Sequence, residues 1–337
     1  MSAARIEERL DALYAVGGGP GANRVGGTAN EQRAHDLAAS WMEEAGLEVE
    51  VDRAGNLFGR TSEPAVLLGS HLDSVPHGGR FDGALGVVAA IEAVERAGRG
   101  AVVAFRSEET GCIGSTAFAA AGPLPSFFLE LHVEQGPVLE RLSAPLGLVT
   151  GVVGIVRGER TFEGPGGHAG TVPMADRRDA LAAAAEYVLH ARAAAAAIEG
   201  AVATVGRVEV EPGFGNVIPG RVRLSVDARA PDAERLDRLV AELGLEPTFR
   251  LEPVEMAREP REALRGALEE RGIAVVELAS GAGHDAAVLA AAGVPTGMLF
   301  VRSLKGGVSH TPEEESSPDD VALAVEVLAD ALRRLGA

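Results

Sequence analysis

Three short apolar runs, each passing directly into ionisable residues, constrain this chain most. Ala65 to Gly69 leads into Ser70-His71-Leu72-Asp73, Ala101 to Phe105 leads towards Ser107-Glu108-Glu109, and Phe127 to Leu131 leads into His132. Runs of this length and purity predict strands buried on both faces, as in a mostly parallel sheet covered by helices. Helical patterns lie between them. Glu31 to Ala45 carries Ala34, Leu37, Ala38, Trp41 and Met42 on one face and stops at Gly46, and Gly83 to Arg96 is a second helix. Strands that repeatedly release charged residues at the same end predict an α/β sheet with a site along one edge.

The pattern changes near Gly151. Val152 to Phe162, Ala201 to Val210, Val217 to Arg229 and Thr248 to Val254 read as strands, and Asp176 to Ile198 and Asp232 to Leu243 as helices. The resulting β-α-β-β-α-β order predicts a four-stranded sheet with two helices on one face. After Met256 the α/β style returns, with strands near Ala274 to Leu278 and Gly297 to Phe300 and a closing helix from Pro318 to Leu335. The expected fold is therefore α/β, with an α+β domain at 152–255 inserted into a discontinuous domain formed by 1–151 and 256–337. A chain of 337 residues accommodates two domains at roughly 150 residues each.

Composition removes several classes of function. With 31 Lys and Arg against 49 Asp and Glu, the formal net charge is −18, which opposes a phosphate-binding surface and any nucleic-acid partner. No stretch is long and apolar enough to predict a membrane span. Met1 to Leu10 carries Arg5, Glu7, Glu8 and Arg9 and lacks the apolar core of a secretory signal. The single cysteine, Cys112, has no internal disulfide partner, which fits a reducing, cytoplasmic setting.

The chemistry concentrates in GSHLDSVPHGGRFDGALG, residues 69–86. His71 and Asp73 stand two apart at a strand end, where a carboxylate can hold the far N–H of a metal-bound imidazole. Asp82 follows in a glycine-rich turn, where its carboxylate could bridge two ions. Glu108, Glu109, His132 and, far downstream, His310 complete a set that suits Zn²⁺, Mn²⁺ or Co²⁺. A lone His-x-Asp pair is more often turn chemistry, and an adjacent Glu pair more often a solvated face. The joint recurrence at strand ends is what argues for a site.

The segments GSHLDSV, GGRFDGALG, SEET, ELHVEQGPVLE, GGHAGTVPM, GNVIPG, SVDAR, SGAGHDA and SHTPEE occur in that order. In combination they resemble the M20 family of dinuclear metallohydrolases, in particular its hydantoinase/carbamoylase amidase branch. The resemblance implies an α/β catalytic domain of the dinuclear zinc-hydrolase type with an inserted lid and dimerisation domain. It implies two divalent ions per subunit, one held by His71, Asp82 and His132 and the other by Asp82, Glu109 and His310. Glu108 would be the general base and Asp73 the residue that orients His71. A His at position 132, within ELHVEQG, resembles the carbamoylase side of the family rather than its peptidases.

On the substrate side, the resemblance implies that His168 stabilises the oxyanion and that Asn216 and Arg229 grip the substrate carboxylate. Gln135 and His284 would line the site without ligating metal. The family pattern further implies a homodimer through the inserted domain. Two departures surround the substrate rather than the metals: the Arg expected after a Gly in the first lid strand is Arg157, one place late after Gly154, and the Glu pair is followed by Thr110-Gly111-Cys112-Ile113. Cys112 reads as a small buried side chain. His35 and His190 read as ordinary helix residues, and His77 matches no ligand position.

The resemblance implies an amidohydrolase acting on a linear carbamoyl or ureido C–N bond, most directly of an N-carbamoyl-L-amino acid. Allantoate amidohydrolase is the alternative that uses the same machinery. An aminopeptidase or deacylase, and a non-catalytic binding relative, stand further off. Retention of Glu108 together with all five ligand residues distinguishes an enzyme from the last of these.

Overall fold

The computed structural model describes residues 3–63 and 65–336. Helices α1 (Ala3–Tyr14) and α2 (Ala29–Glu44) precede strands β1 (Glu48–Val51), β2 (Leu57–Arg60) and β3 (Val66–His71). Helix α3 (Ala84–Ala97), β4 (Ala101–Phe105), α4 (Ile113–Ala121) and β5 (Phe127–Val133) follow, and α5 (Val138–Leu142) leads into β6 (Leu146–Val152). Next come β7 (Gly154–Glu163), β8 (Gly167–His168), α6 (Ala180–Ala196), β9 (Val202–Glu211), β10 (Val217–Ile218), β11 (Arg221–Ala230), α7 (Ala233–Leu243) and β12 (Glu246–Leu251). The chain ends with β13 (Val254–Glu255), α8 (Arg258–Glu270), β14 (Glu277–Ser280), α9 (Asp285–Ala291), β15 (Thr296–Val301) and α10 (Pro318–Leu335). It divides into two compact units, Met1–Val152 with Glu255–Ala337, and Val153–Val254.

The first unit is built on a mixed sheet in the order β1-β2-β4-β3-β5-β15-β6-β13, with β14 beside β6. The four central strands β4, β3, β5 and β15 are mutually parallel. Every residue of β3 and β4 is buried, which is why both runs are nearly free of polar side chains. One large core joins Leu68, Val102, Leu129 and Leu131 of the sheet to α1, α2, α3, α8 and α10. Elsewhere Phe105 meets Phe128 and Phe118 of α4 at ring distances of 6.0 and 5.9 Å. Because the central strands are parallel, their C-terminal ends share one edge, and residues 72–82, 106–109, 132–135 and 302–310 leave from it.

Local chemistry sets the helix ends. Thr28 caps α2 by accepting the Glu31 N–H, and Ser317 caps α10, with Pro318 in the first turn and Arg333 and Arg334 in the last.

The second unit is an antiparallel sheet in the order β12-β7-β11-β9. Val222, Leu224, Val226 and Ala228 alternate along β11 and bury against α6 and α7, so both helices cover one face. This is the expected β-α-β-β-α-β order with one addition, a two-stranded ribbon of β8 and β10.

Several expected boundaries move. The single strand expected over Val152 to Phe162 is divided between β6 and β7. The strand expected over Val217 to Arg229 breaks at Pro219-Gly220, because Pro219 has no N–H to give a ladder. The helix expected from Asp176 starts at Ala180, where Asp179 caps it by accepting the N–H groups of Leu181 and Ala182. His132 lies inside β5 rather than beyond it, and the Glu pair lies in the loop after β4 rather than at the strand terminus.

Candidate metal centre

Asp82 lies at the middle of the candidate centre. Its Oδ1 is 3.1 Å from His132 Nε2 and 3.7 Å from His71 Nε2, and its Oδ2 is 3.1 Å from His310 Nε2. Glu109 Oε1 lies 3.5 Å from the same His310 nitrogen. Two groups result, His71-Asp82-His132 and Asp82-Glu109-His310, each with ligand atoms within 4.8 Å of one another. They share Asp82, one oxygen facing each group. Glu109 Oε1 is buried yet takes no hydrogen bond; two imidazoles and a carboxylate converge in the first group, one imidazole and two carboxylates in the second. Residues with these N and O donors fit divalent ions of the zinc, manganese or cobalt type.

The turn that carries Asp82 works only with glycine beside it. Gly83 has φ of 62°, and a Cβ there would lie 2.4 Å from the His71 ring. Glu314 supports the same turn: its Oε2 accepts the N–H groups of Phe81 (2.7 Å) and Asp82 (3.1 Å), and its Oε1 accepts from Ser309 Oγ (2.8 Å). Glu314 thereby joins the Asp82 turn to the His310 segment, a role that its place in SHTPEE does not disclose.

The imidazoles are oriented from behind. His132 Nδ1 lies 2.9 Å from the Val133 carbonyl, which fixes Nδ1–H as donor and leaves the Nε2 lone pair to face Asp82, where a metal ion could take it. His71 Nδ1 lies 3.3 Å from Asp73 Oδ1 and 3.2 Å from the Asp73 carbonyl. Asp73 also accepts the backbone N–H groups of Glu108 and Glu109, at 3.0 and 3.1 Å.

Charge at the site follows from burial working against close partners. Burial opposes a charge on His71, but Glu108, Asp73 and Asp82 outweigh it and hold the imidazole well above its usual range. Burial likewise opposes the charge on Asp82, yet His132 and His310 keep its carboxyl well below the ordinary carboxylate range. Burial and Asp82 push Glu109 up to about 7. Burial raises Glu108 as well, assisted by Asp82 and Glu130 and opposed by His71 and His132. Glu108 belongs to neither ligand group, and its Oε2 lies 3.8 Å from His71 Nε2.

The remaining expected residues fall in several places. Gln135 reaches the centre, its Nε2 donating to Asp82 Oδ2 (3.3 Å) and Ser309 Oγ (3.1 Å). His284 is buried with its ring 4.6 Å from that of His132 and Nε2 2.8 Å from Ser280 Oγ. In the second unit, His168 on β8 pairs with Val217, and the Asn216 carbonyl accepts the Ala169 N–H at 3.0 Å, so these two residues lie together. Arg229 on β11 contacts Asp227, its Nε donating to Oδ1 at 2.7 Å. Arg157 donates to the other oxygen of Asp227 at 3.0 Å. His77 is exposed and bound to the Pro20 carbonyl, and His190 is exposed against the Glu242 carbonyl. His35 is buried, and burial, with Arg106 nearby, lowers it to about 3. Cys112 departs from expectation: it is only half-buried, and its Sγ lies 3.6 Å from Glu108 Oε1.

Two further residues around the centre gave no such signal in the sequence. Arg24 is wholly buried, donating Nε to the Leu72 carbonyl (2.7 Å) and Nη1 to the Leu13 carbonyl (3.0 Å), directly behind the His71 loop. Glu31 accepts the Ser107 N–H at 2.8 Å. Glu31 also closes the start of its own helix, where its Oε2 accepts the Gly27 N–H at 2.7 Å.

A parallel sheet edge carrying acid and imidazole groups around one shared carboxylate fits a metal-dependent enzyme on an α/β fold. A profile of Peptidase family M20/M25/M40 matches residues 67–334, and the chain belongs to this family. It is 38% identical to an N-carbamoyl-L-amino acid amidohydrolase of Geobacillus stearothermophilus, with 96% of each chain covered. It is 33% identical to a probable allantoate deiminase of Oryza sativa subsp. japonica, over 86% of this chain and 79% of that one. Among solved structures, a hydantoinase/carbamoylase family amidase from Burkholderia multivorans superposes with a TM-score of 0.91 at 32% identity, covering 99% of this chain and 98% of the other. Among the described residues, no helix is long and apolar enough to cross a membrane.

Proposed function

We propose that this chain is an amidohydrolase that cleaves a linear carbamoyl or ureido C–N bond with the help of two divalent ions, Zn²⁺, Mn²⁺ or Co²⁺. The favoured substrate is an N-carbamoyl-L-amino acid, which would yield the amino acid, CO₂ and ammonia. The observation that carries the reading is the separation of roles around Asp82: two ligand groups share that carboxylate, and Glu108 stands beside them without belonging to either. The named amidohydrolase relative at 38% identity favours the carbamoyl substrate. Allantoate is the second reading, favoured by the allantoate deiminase relative.

When bound, the ions lower the pKa of a water towards neutrality and polarise the scissile carbonyl. In this reading His71, His132, Glu109 and His310 hold them around Asp82. Glu108 takes a proton from the attacking water and delivers it to the leaving nitrogen. Burial, which raises its proton affinity, suits a carboxylate that must hold that proton between the two transfers. Asp73 keeps His71 oriented. His168 carries the developing oxyanion, Asn216 and Arg229 bind the substrate carboxylate, and Gln135 and His284 line the site. A homodimer through the second unit is part of the same reading, supported by the open edge of β9 with Val202 and Val208 exposed on it.

The test is ammonia release by Mn²⁺-loaded protein from several N-carbamoyl-L-amino acids, N-carbamoyl-β-alanine and allantoate, with Glu108→Gln as the blank. Release from one class, lost in the blank, supports the reaction and separates carbamoylase from allantoate amidohydrolase. No release by fully loaded protein overturns the substrate class and turns attention to peptide or acyl-amide bonds, then to a binding role.

A further inference from the structure

The loop that leaves β4 presents four successive backbone N–H groups, and a side-chain oxygen takes each one. Arg106 N donates to Asn56 Oδ1 at 3.0 Å, Ser107 N to Glu31 Oε1 at 2.8 Å, Glu108 N to Asp73 Oδ1 at 3.0 Å and Glu109 N to Asp73 Oδ2 at 3.1 Å. The loop cannot be held by a strand ladder, because its backbone turns. Ser107 has φ of 53°, a left-handed conformation that a residue with a Cβ avoids unless its surroundings impose it.

Glu31 is the one of these acceptors that acts directly on Ser107. It is 1% exposed, and its two oxygens face different parts of the chain. Oε2 accepts the Gly27 N–H at 2.7 Å, a contact local to the start of α2, whereas Oε1 reaches Ser107 across 76 positions of sequence. Arg106 Nη1 lies 3.5 Å from Oε2 and balances the buried charge. Starting α2 requires only the local contact. The second contact fixes the residue immediately before Glu108.

We infer that Glu31 is a positioning residue for the reaction, holding Ser107 in its left-handed turn so that Glu108 and Glu109 point into the metal centre. This rests on the reading of Glu108 as general base. Glu31 belongs to neither ligand group. Its loss therefore acts through geometry, on kcat and on the hold of Glu109 on metal, more than on KM.

The experiment is a double-mutant cycle between Glu31→Ala and Ser107→Gly in the Mn²⁺-loaded protein, on the best substrate of the panel above. Glycine adopts a left-handed turn without strain, so it depends less on the clamp. In the wild-type background, Glu31→Ala is expected to lower kcat about tenfold with KM within twofold, and to weaken Mn²⁺ binding about tenfold in competition with a chelator. In the Ser107→Gly background both factors are expected to shrink to about threefold or less. A role confined to starting α2 predicts the same factors in both backgrounds, and that result overturns the inference, as does an unchanged kcat and Mn²⁺ affinity in Glu31→Ala. Should Glu31→Ala not fold, Glu31→Asp carries the same cycle: it keeps a charge in the first turn of α2 but is one methylene too short to span Gly27 and Ser107. Glu108→Gln in the same assay separates the two claims. Turnover retained there means that the base reading fails. Turnover lost there, with no coupling between Glu31 and Ser107, means that the positioning role fails.

Discussion

His71 Nδ1 and Asp73 Oδ1 meet at 3.3 Å, and through that contact one buried carboxylate organises both halves of the centre. Asp73 lies behind the His71 imidazole, yet its two oxygens also receive the N–H groups of Glu108 and Glu109. The three donors engage both oxygens of the carboxylate, His71 and the Glu108 N–H on Oδ1 and the Glu109 N–H on Oδ2, so an amide would turn its NH₂ towards a donor on either side. Burial works against the charge on Asp73, but His71 and the two backbone donors still hold its carboxyl below the ordinary range.

Asp73→Asn is therefore expected to weaken metal binding by about 10–100-fold and to lower turnover with it. The amide NH₂ must face either His71 together with the Glu108 N–H, or the Glu109 N–H, so at least one of the three contacts becomes repulsive. Chelator competition with the purified variant measures this directly. An affinity within threefold of the wild type would show that orientation by Asp73 is dispensable.

Proton competition gives a second expectation. Burial opposes a charge on His132, but Asp82 prevails and pushes it up to about 9. Asp82 also raises His310 to about 9, against burial, and burial with Asp82 raises Glu109 to about 7. All three values lie above those of an unfolded chain, where imidazole titrates near ~6.5 and Glu near ~4.3. Raised values stabilise the metal-free fold at low pH, and that contribution is lost as pH rises, through about 7 for Glu109 and about 9 for the two histidines. Metal binding requires the deprotonated groups, so it must expel protons and strengthen with pH. The gap in Tm between metal-loaded and metal-free protein should widen from pH 6 towards pH 9. A gap that stays constant or narrows contradicts the assignment of these ligands.

Much of this centre was legible in the sequence because ligand chemistry and strand ends leave local marks. His71 and His132 end apolar runs and Asp82 and His310 sit in the glycine-rich or polar loops beside them, so their convergence follows once β4, β3, β5 and β15 are parallel neighbours. Glu31 and Arg24 left no such mark. A capping glutamate and a buried arginine look like ordinary helix and loop residues until the chain closes, and the Glu31 contact spans 76 positions. Boundaries failed where one residue overrode the pattern, as Pro219 did in cutting the expected strand and Asp179 in delaying the expected helix. Cys112 was misread because its contact with Glu108 depends on a turn that apolar periodicity does not encode.

Two glycines separate folding from metal binding. A Cβ at Gly69 would lie 1.9 Å from the Val103 carbonyl of the neighbouring strand, and two buried strands cannot part to admit it. Gly69→Ala should cost about 3 kcal/mol or more and abolish soluble expression. A Cβ at Gly83 strikes the His71 ring instead, at 2.4 Å, beside the Asp82 turn. Gly83→Ala should leave folded protein with less bound metal, read by circular dichroism and elemental analysis. Full metal content in that variant would show that the ring has room to move.

Arg229 gives the clearest expectation on the substrate side. Its Nε and Nη2 contact the two oxygens of Asp227 at 2.7 and 3.2 Å, and Arg157 contacts the same carboxylate at 3.0 Å. Two guanidinium groups thus share one carboxylate. Burial opposes the charge on Asp227, yet the two arginines hold its carboxyl below the usual range, so it does not take up a proton at neutral pH. In the reading proposed above, the planar guanidinium that Asp227 holds in place grips the substrate carboxylate. Arg229→Ala should raise KM for carboxylate substrates by about 10–100-fold with a smaller change in kcat, whereas the corresponding substrate amide should be affected little. Arg229→Lys should restore only part of the loss, because an ammonium cannot reproduce a planar, two-pronged contact. Steady-state kinetics on a carbamoyl amino acid and its amide decide the matter. Equal KM for the acid and the amide in the native enzyme would remove Arg229 from carboxylate recognition.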